Sequence, residues 1–248
     1  MAKVFEVPEM IRKKMDFCAG CGHGVTIRLV AECLQEIGED NNVIFPIGVG
    51  CSSLLGGGLM KDRLHVPHGR CSAVATGMKR CSPDVTIVAY QGDGDAYNIG
   101  IAETLSAAYR NENFTLIVIN NSNFGMTGGQ MSATTLPGQK TSTTIGGRDP
   151  ATTGMPLRFP ELVASQFNVA YAARGSVHTP AETNKLKRYI KQALLAQQNK
   201  EGYSVVEVLS PCPTNWRLSP VATHKRIADE VQAYYPLGEF KKRGGAKE

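Results

Sequence analysis

Gly92-Asp93-Gly94-Asp95 follows a β-branched run, Val85-Thr86-Ile87-Val88-Ala89-Tyr90, and Asn120-Asn121 closes a second run, Phe114-Thr115-Leu116-Ile117-Val118-Ile119. Between the runs, Ala96 to Arg110 is expected to form a helix with Ile101, Leu105, Ala108 and Tyr109 on its inner face. In an open parallel sheet, ligands bind beyond the carboxyl ends of the strands, so Asp93 and Asn121 should converge on one edge. A carboxylate and an amide oxygen there suit Mg²⁺, which takes few protein oxygens and fills its octahedron with water and substrate phosphate. Gly92 and Gly94 would let the backbone run close to a diphosphate. The chemistry expected of this unit is metal-assisted diphosphate binding.

Four cysteines are expected at the same edge. Cys18-Ala19-Gly20-Cys21 precedes the first predicted helix, and Cys51 and Cys212 each follow a predicted strand. In a parallel sheet Cys51 and Cys212 share the edge of Asp93 and Asn121, and a helix N-terminus could bring Cys18 and Cys21 to it. Four thiolates fit a [4Fe–4S] cluster or a structural Zn²⁺ site, and unpaired buried thiols are a third reading. Spacing does not choose among them. Covalent haem needs His directly after the second Cys, where this chain has Gly22, and no strand precedes the pair as a thioredoxin-like motif requires. Cys33, Cys71 and Cys81 lack partners at ligand spacing and read as small core or surface thiols.

The elements that must position these residues alternate. A helix is expected over His23–Ile37, closed by Gly38, then a strand Val43–Ile47 leading into Gly48-Val49-Gly50-Cys51. A small-residue helix follows over 71–80. From Thr127 to Pro160 the chain is rich in Gly, Thr and Pro without periodicity, which points to an active-site wall or an interface. A helix Pro160–Phe167 and a strand Val169–Ala173 come next. Thr179-Pro180-Ala181-Glu182 is a capping box that opens a helix to about Asn199, with Leu186, Ile190, Ala193 and Leu194 inward. The strand Tyr203–Leu209 runs into Ser210-Pro211-Cys212-Pro213, and a last helix starts at Ser219-Pro220 and ends near Tyr235. This order implies an α/β fold, a mostly parallel sheet with helices on both faces. One domain is expected over 1–240, with 241–248 a disordered basic tail.

Composition bounds the function. The 248 residues are 42% hydrophobic and 20% charged, an ordinary globular balance. No apolar run approaches a membrane span. The start, Met1 to Pro8, has no secretory pattern, and seven cysteines are too few and too odd in number for a disulfide scaffold. The cytoplasm is the expected compartment. The net charge of +5 sits partly in Arg12-Lys13-Lys14 and Lys241-Lys242-Arg243 without interleaved aromatics, so neither nucleic acid nor membrane is expected as a partner. Docking of an acidic protein remains open.

Gly92-Asp93-Gly94 with Asn120-Asn121 resembles the thiamine-diphosphate motif. Taken with Cys18-Ala19-Gly20-Cys21-Gly22-His23-Gly24, Gly50-Cys51-Ser52, His68-Gly69-Arg70 and Ser210-Pro211-Cys212, the chain resembles the β subunit of 2-oxoacid:ferredoxin oxidoreductases from about Met10 to Tyr235. The resemblance implies a thiamine-diphosphate-binding fold in which Asp93, Asn121 and the backbone carbonyl of Asn123 hold Mg²⁺. It implies cofactor contacts from Gly92, Gly94, Asp95, Cys51 and Ser52, and a bend in the thiamine supported by Met126. His68 and Arg70 would meet the diphosphate or the substrate carboxylate. Cys18, Cys21, Cys51 and Cys212 would hold one [4Fe–4S] cluster near the thiamine ring.

The reaction implied is CoA-dependent oxidative decarboxylation of a 2-oxoacid to acyl-CoA and CO₂, with electrons leaving through the cluster to ferredoxin. The glutamate that activates the cofactor would come from an α subunit carrying the pyrimidine-binding domain, so no catalytic side chain is assigned to this chain. A γ subunit and a ferredoxin-like δ subunit are further expected partners. Gly128 stands where some 2-oxoglutarate users have lysine, which favours an uncharged, branched-chain 2-oxoacid. Two alternatives stay open: a thiamine-dependent non-oxidative decarboxylase subunit, and a non-catalytic zinc-stabilised α/β module.

Overall fold

The computed structural model describes residues 7–12 and 15–243. Lys13, Lys14, the start of the leader and residues 244–248 lie outside that set. Helix α1 (His23–Ile37) ends on Gly38, whose φ of 75° is the left-handed conformation that glycine accepts without a Cβ penalty. Strand β1 (Val43–Ile47) runs through the Cys51 turn into a short α2 (Leu55–Gly58) and β2 (Asp62–His65). Helix α3 (Cys71–Cys81), strand β3 (Thr86–Gly92), helix α4 (Ile101–Tyr109) and strand β4 (Thr115–Asn120) follow. Beyond the long loop with its short α5 (Pro150–Thr153) come α6 (Phe159–Gln166), β5 (Tyr171–Ser176), α7 (Pro180–Gln198) and β6 (Ser204–Leu209). The chain ends with α8 (Pro213–Trp216), α9 (Pro220–Arg226), α10 (Gln232–Tyr234) and β7 (Gly238–Lys242).

The seven strands form one sheet in the order β2-β1-β3-β4-β6-β5-β7. Every neighbouring pair is parallel except β5 with β7. Strands β4, β5 and β6 are buried at every position, as a sheet covered on both faces demands. Alternate residues feed two cores. Phe45, Tyr90, Ile117 and Val206 pack against α1 and α7, while Ile87, Leu116, Val118 and Val205 pack under α3, α4 and α6. The chain leaves β1 toward β2 and leaves β3 toward β4, so the connections diverge between β1 and β3. That divergence opens a crevice at the carboxyl edge.

Four sequence expectations change. The helix expected over Ala96–Arg110 is broken: Asp95–Ile99 is a wide π turn, and α4 starts only after Gly100. The reason is a close approach, because a Cβ at Gly100 would lie 2.5 Å from Gly69 O. Tyr109, expected inside, is 71% exposed. The strand expected at Val169–Ala173 sits further along, at Tyr171–Ser176, in register with Ser204–Leu209. Lys241 and Lys242 do not begin a tail: they extend β7, where Lys241 Nζ donates to Phe167 O at 2.6 Å. Among the described residues, no helix is long and apolar enough to cross a membrane.

Candidate active site

The carboxyl ends of β1, β3, β4 and β6 deliver Cys51, Asp93, Asn121 and Cys212 to one edge, as the parallel order requires. A cleft lies there, lined by Cys51, Gly92, Asp93, Asn121, Asn123 and Met126 among others.

Asp93 is buried at the end of β3. Its Oδ2 accepts hydrogen bonds from Ser132 Oγ (2.6 Å) and from Thr134 Oγ1. Burial pushes its carboxyl up to about 6, while those two hydroxyls and nearby backbone N–H groups pull the other way. Its Oδ1 is turned to Asn121. The Asn121 side-chain oxygen faces Asp93 Oδ1 at 3.1 Å and Asn123 O at 2.7 Å, three acceptors with no donor between them. Rotating the amide would place a donor there and satisfy a metal-free site. The oxygen-inward arrangement is instead the donor set of a hard cation. Adjacent oxygens of a Mg²⁺ octahedron lie about 2.9 Å apart, given Mg–O distances of about 2.0–2.1 Å. The residues present fit the ion.

The turn that shapes this set is tightly held. Ser122 adopts φ 58°, and its N–H donates to Asn120 Oδ1 (3.1 Å). Asn123 Nδ2 and Trp216 Nε1 both donate to Asn121 O, at 2.7 and 3.1 Å. Ser122 O accepts from Thr135 Oγ1 (2.8 Å) and Gln139 Nε2 (3.0 Å). The irregular 127–160 segment is therefore a wall of the site, and it supplies the hydroxyls on Asp93.

The four cysteines lie near enough to act on one another: Cys18, Cys21 and Cys212 all bear on the Cys51 thiol. Cys212 is buried, Cys21 and Cys51 are half-buried, and Cys18 is exposed. Burial raises the Cys21 thiol to about 11, with Cys212 and Cys18 adding to the rise. The Cys51 thiol reaches about 12, by burial first and then by Cys21, Cys212, Cys18 and Asp93. Thiols that mutually oppose ionisation need a cationic centre to become thiolates. Donors already aim at the sulfurs: Asn215 Nδ2 lies 3.4 Å from Cys212 Sγ, and the His23 N–H and Ser210 hydroxyl face Cys21. Among the described residues, no three His, Cys, Asp or Glu side chains are grouped closely enough to hold a single metal ion. A cubane cluster asks for something else, one thiolate on each of four irons. Cys18, Cys21, Cys51 and Cys212, mutually influencing thiols at one edge, supply that number and kind of donor.

Several expected contacts are reassigned. Arg70 turns away from the cleft into a close ion pair with Glu103 on α4. Ser52 is buried beneath the cleft, its hydroxyl donating to Gly48 O at 2.9 Å. Asp95 borders the cleft, but both its oxygens are engaged: Gly69 N (2.7 Å) and His68 Nδ1 donate to Oδ1, and Gln91 Nε2 (2.5 Å) donates to Oδ2. Asp95 thereby fixes the ring of His68, which does line the cleft. Gly92 has open space above it, as a diphosphate path needs, whereas a Cβ on Gly94 would meet the Phe124 ring at 2.5 Å.

Sequence reading missed four participants. Ser132 and Thr134 carry no motif, and only the aperiodic, hydroxyl-rich character of their segment hinted at a role. Asn215 gave no signal, yet it joins Gly125 O (2.8 Å), Asn123 Oδ1 (3.3 Å) and Cys212 Sγ. His23 is buried against Tyr90 OH (3.0 Å) and stacked on Phe17, with burial pushing it down to about 3, so it lines the cleft as a neutral ring.

Comparison with known proteins agrees with this geometry. The profile of the thiamine pyrophosphate enzyme C-terminal TPP binding domain matches residues 48–208. Ketoisovalerate oxidoreductase subunit VorA of Methanothermobacter thermautotrophicus is 38% identical over 94% of this chain, which spans about half (49%) of that relative's length. The 2-oxoglutarate synthase subunit KorB of Archaeoglobus fulgidus is 34% identical over 91% of this chain and 84% of its own. In structure, 2-oxoglutarate:ferredoxin oxidoreductase from Magnetococcus marinus aligns over 99% of this chain and 87% of its own, with a TM-score of 0.77 at 24% identity, a likeness of fold. The chain belongs to the thiamine-pyrophosphate-binding subunits of the 2-oxoacid:ferredoxin oxidoreductase family.

Proposed function

We propose that this chain carries thiamine diphosphate, Mg²⁺ and one [4Fe–4S] cluster in a CoA-dependent 2-oxoacid:ferredoxin oxidoreductase. The observation that carries the reading is the oxygen triad of Asp93, Asn121 and Asn123, spaced 2.7 and 3.1 Å, beside four gathered cysteines on one sheet edge. Asp93 Oδ1, Asn121 Oδ1 and Asn123 O would hold Mg²⁺, with the diphosphate over Gly92. Cys18, Cys21, Cys51 and Cys212 would hold the cluster. When bound, the thiazolium supplies an electron sink for decarboxylation and the cluster a one-electron acceptor. Ser132 and Thr134 keep Asp93 aimed at the metal, neutral His23 closes the wall beside Cys51, and Asp95 keeps His68 facing the cleft.

Met126 is 47% exposed and lines the cleft, so it is no core filler. Its proposed role is to support the bent cofactor. Met126→Ala should change stability by less than about 0.5 kcal/mol, as for an ordinary surface site, yet weaken turnover markedly; unaltered turnover contradicts the role.

The substrate proposed is a branched-chain 2-oxoacid, taken with CoA. Gly128 holds φ 107°, a conformation that a lysine side chain would strain, so this position offers no side-chain cation to a second carboxylate. Identity is also higher to relatives named for ketoisovalerate (38–39%) than to those named for 2-oxoglutarate (34–37%). The activating glutamate is expected from an α subunit, with γ and ferredoxin-like δ subunits completing the complex and ferredoxin as acceptor. The chain alone should therefore bind Mg²⁺–thiamine diphosphate but fail to reduce viologen with any 2-oxoacid. Restoring the partner chain should give 2-oxoacid- and CoA-dependent reduction, fastest with branched-chain acids. Full turnover by the isolated chain would overturn the half-site reading.

A further inference from the structure

The four-cysteine site is most open at one corner. Cys18 is exposed, as are Ala19 and Gly20 after it, while Cys212 is buried. Helix α9 leans on that corner: a Cβ on Gly20 would lie 2.7 Å from Pro220 Cβ, so the helix begins in direct contact with the Cys18–Cys21 turn. Around this contact the surface is apolar, with Val221 80% exposed and Leu218 37% exposed.

The same stretch is one-signed in charge. Residues 217–226, Arg-Leu-Ser-Pro-Val-Ala-Thr-His-Lys-Arg, contain Arg217, Lys225 and Arg226 and no carboxylate. Arg226 is occupied, stacked 4.5 Å over Trp216 and paired with Glu230. Arg217 and Lys225 are exposed to solvent. On the other side of the turn, Asp16 points toward Gly57 and does not offset them.

We propose that this face, the exposed Cys18 corner with Leu218, Val221, Arg217 and Lys225, docks an acidic one-electron carrier protein. The proposal rests on the cluster reading above. Electron transfer needs close approach, and Cys18 is where a thiolate-held centre comes nearest to solvent. An apolar floor with cations at its rim matches the composition of a small, transient interface. Cations there steer an acidic partner to the productive orientation. Each docking event moves one electron: the carrier gains it, the cysteine-held centre loses it, and no bond or proton is transferred.

The test uses the assembled complex with its partner chains and a purified small acidic [4Fe–4S] ferredoxin as probe. The double variant Arg217→Glu/Lys225→Glu should raise the ferredoxin Kd at low ionic strength on the order of tenfold or more, the difference shrinking as salt screens the pair. Val221→Asp should weaken binding at both low and high salt. Viologen reduction and iron content should be unchanged in all variants, because a small dye needs no docking face. Lys200→Glu, which alters a charge at the opposite end of the sheet, should leave the ferredoxin Kd as it is. An unaltered ferredoxin Kd in the double variant with iron and viologen activity intact overturns the docking face alone. So does release of a subunit from the complex by the double variant, which would mean that another chain of the assembly covers this face. Wild-type complex without iron overturns the cluster reading, and the docking face with it.

Discussion

Asp93→Asn is expected to weaken Mg²⁺-dependent thiamine diphosphate binding at least about 100-fold, equivalent to about 2.7 kcal/mol, while stabilising the ligand-free chain. The two effects share one cause. Asp93 is a carboxylate held in a buried position with its Oδ1 facing the Asn121 side-chain oxygen, an arrangement that a bound cation would turn from repulsive to favourable. Without the metal the buried charge is a liability. Burial raises its folded-state pKa from 3.8 to about 6, so between those values the folded chain binds more protons than the unfolded one. Stability of the ligand-free protein should therefore fall as pH rises from about 4 to about 6 and stay low above. The full penalty is about 3 kcal/mol at one pKa unit per 1.36 kcal/mol.

Asparagine removes the charge and brings a donor for Asn121 Oδ1, while its oxygen still accepts from Ser132 and Thr134. A gain of about 1–3 kcal/mol is expected at pH 7.5, shrinking as the pH falls to 4. Calorimetric titration with Mg²⁺ and cofactor, set beside denaturant melts at both pH values, checks both halves. A variant that still binds the cofactor, or that melts earlier at pH 7.5, would contradict the account.

The second large effect is expected at Cys212. Cys212→Ser should remove the iron, the sulfide and 2-oxoacid-dependent viologen reduction together, while leaving Mg²⁺–thiamine diphosphate affinity nearly unchanged. Serine is close in size and its hydroxyl can still meet Asn215 Nδ2, so the turn that Asn215 ties to Gly125 should persist. What it lacks is a soft, easily ionised sulfur. Loss of cofactor affinity along with the iron would mean that the two sites are one folding unit and not two separable ones.

The meeting of Asp93 and Asn121 was legible in the sequence because parallel strands fix where their carboxyl ends lie. Once Val85–Tyr90 and Phe114–Ile119 are read as neighbouring strands, Asp93 and Asn121 can only meet at one edge, and the same reasoning carries Cys51 and Cys212 there. Side-chain direction at that edge was less legible. Asp95 and Arg70 have the right chemistry for a phosphate site, yet one is taken up by Gly69, Gln91 and His68 and the other by Glu103. Loops, with no period to read, decide such matters.

The hydroxyls on Asp93 were out of reach for the same reason, lying 39 and 41 residues beyond it in sequence, on an aperiodic segment. The edge strands failed differently. All four residues of β2 are exposed, and β7 is Gly-Glu-Phe-Lys-Lys, so neither shows the apolar run that marks a buried strand. The basic character that suggested a loose tail is what a sheet edge tolerates.

The central claim is that one sheet edge holds a diphosphate–magnesium clamp and a four-thiolate centre within reach of each other. Anaerobic purification of the chain with its partner, followed by analysis for iron, sulfide, zinc and thiamine and by electron paramagnetic resonance after adding a branched-chain 2-oxoacid, tests it most directly. The account predicts about four irons and four sulfides per chain, bound thiamine diphosphate, and a reduced-cluster signal that appears on substrate addition. Stoichiometric zinc in a colourless protein, or iron that never responds to any 2-oxoacid, would contradict it.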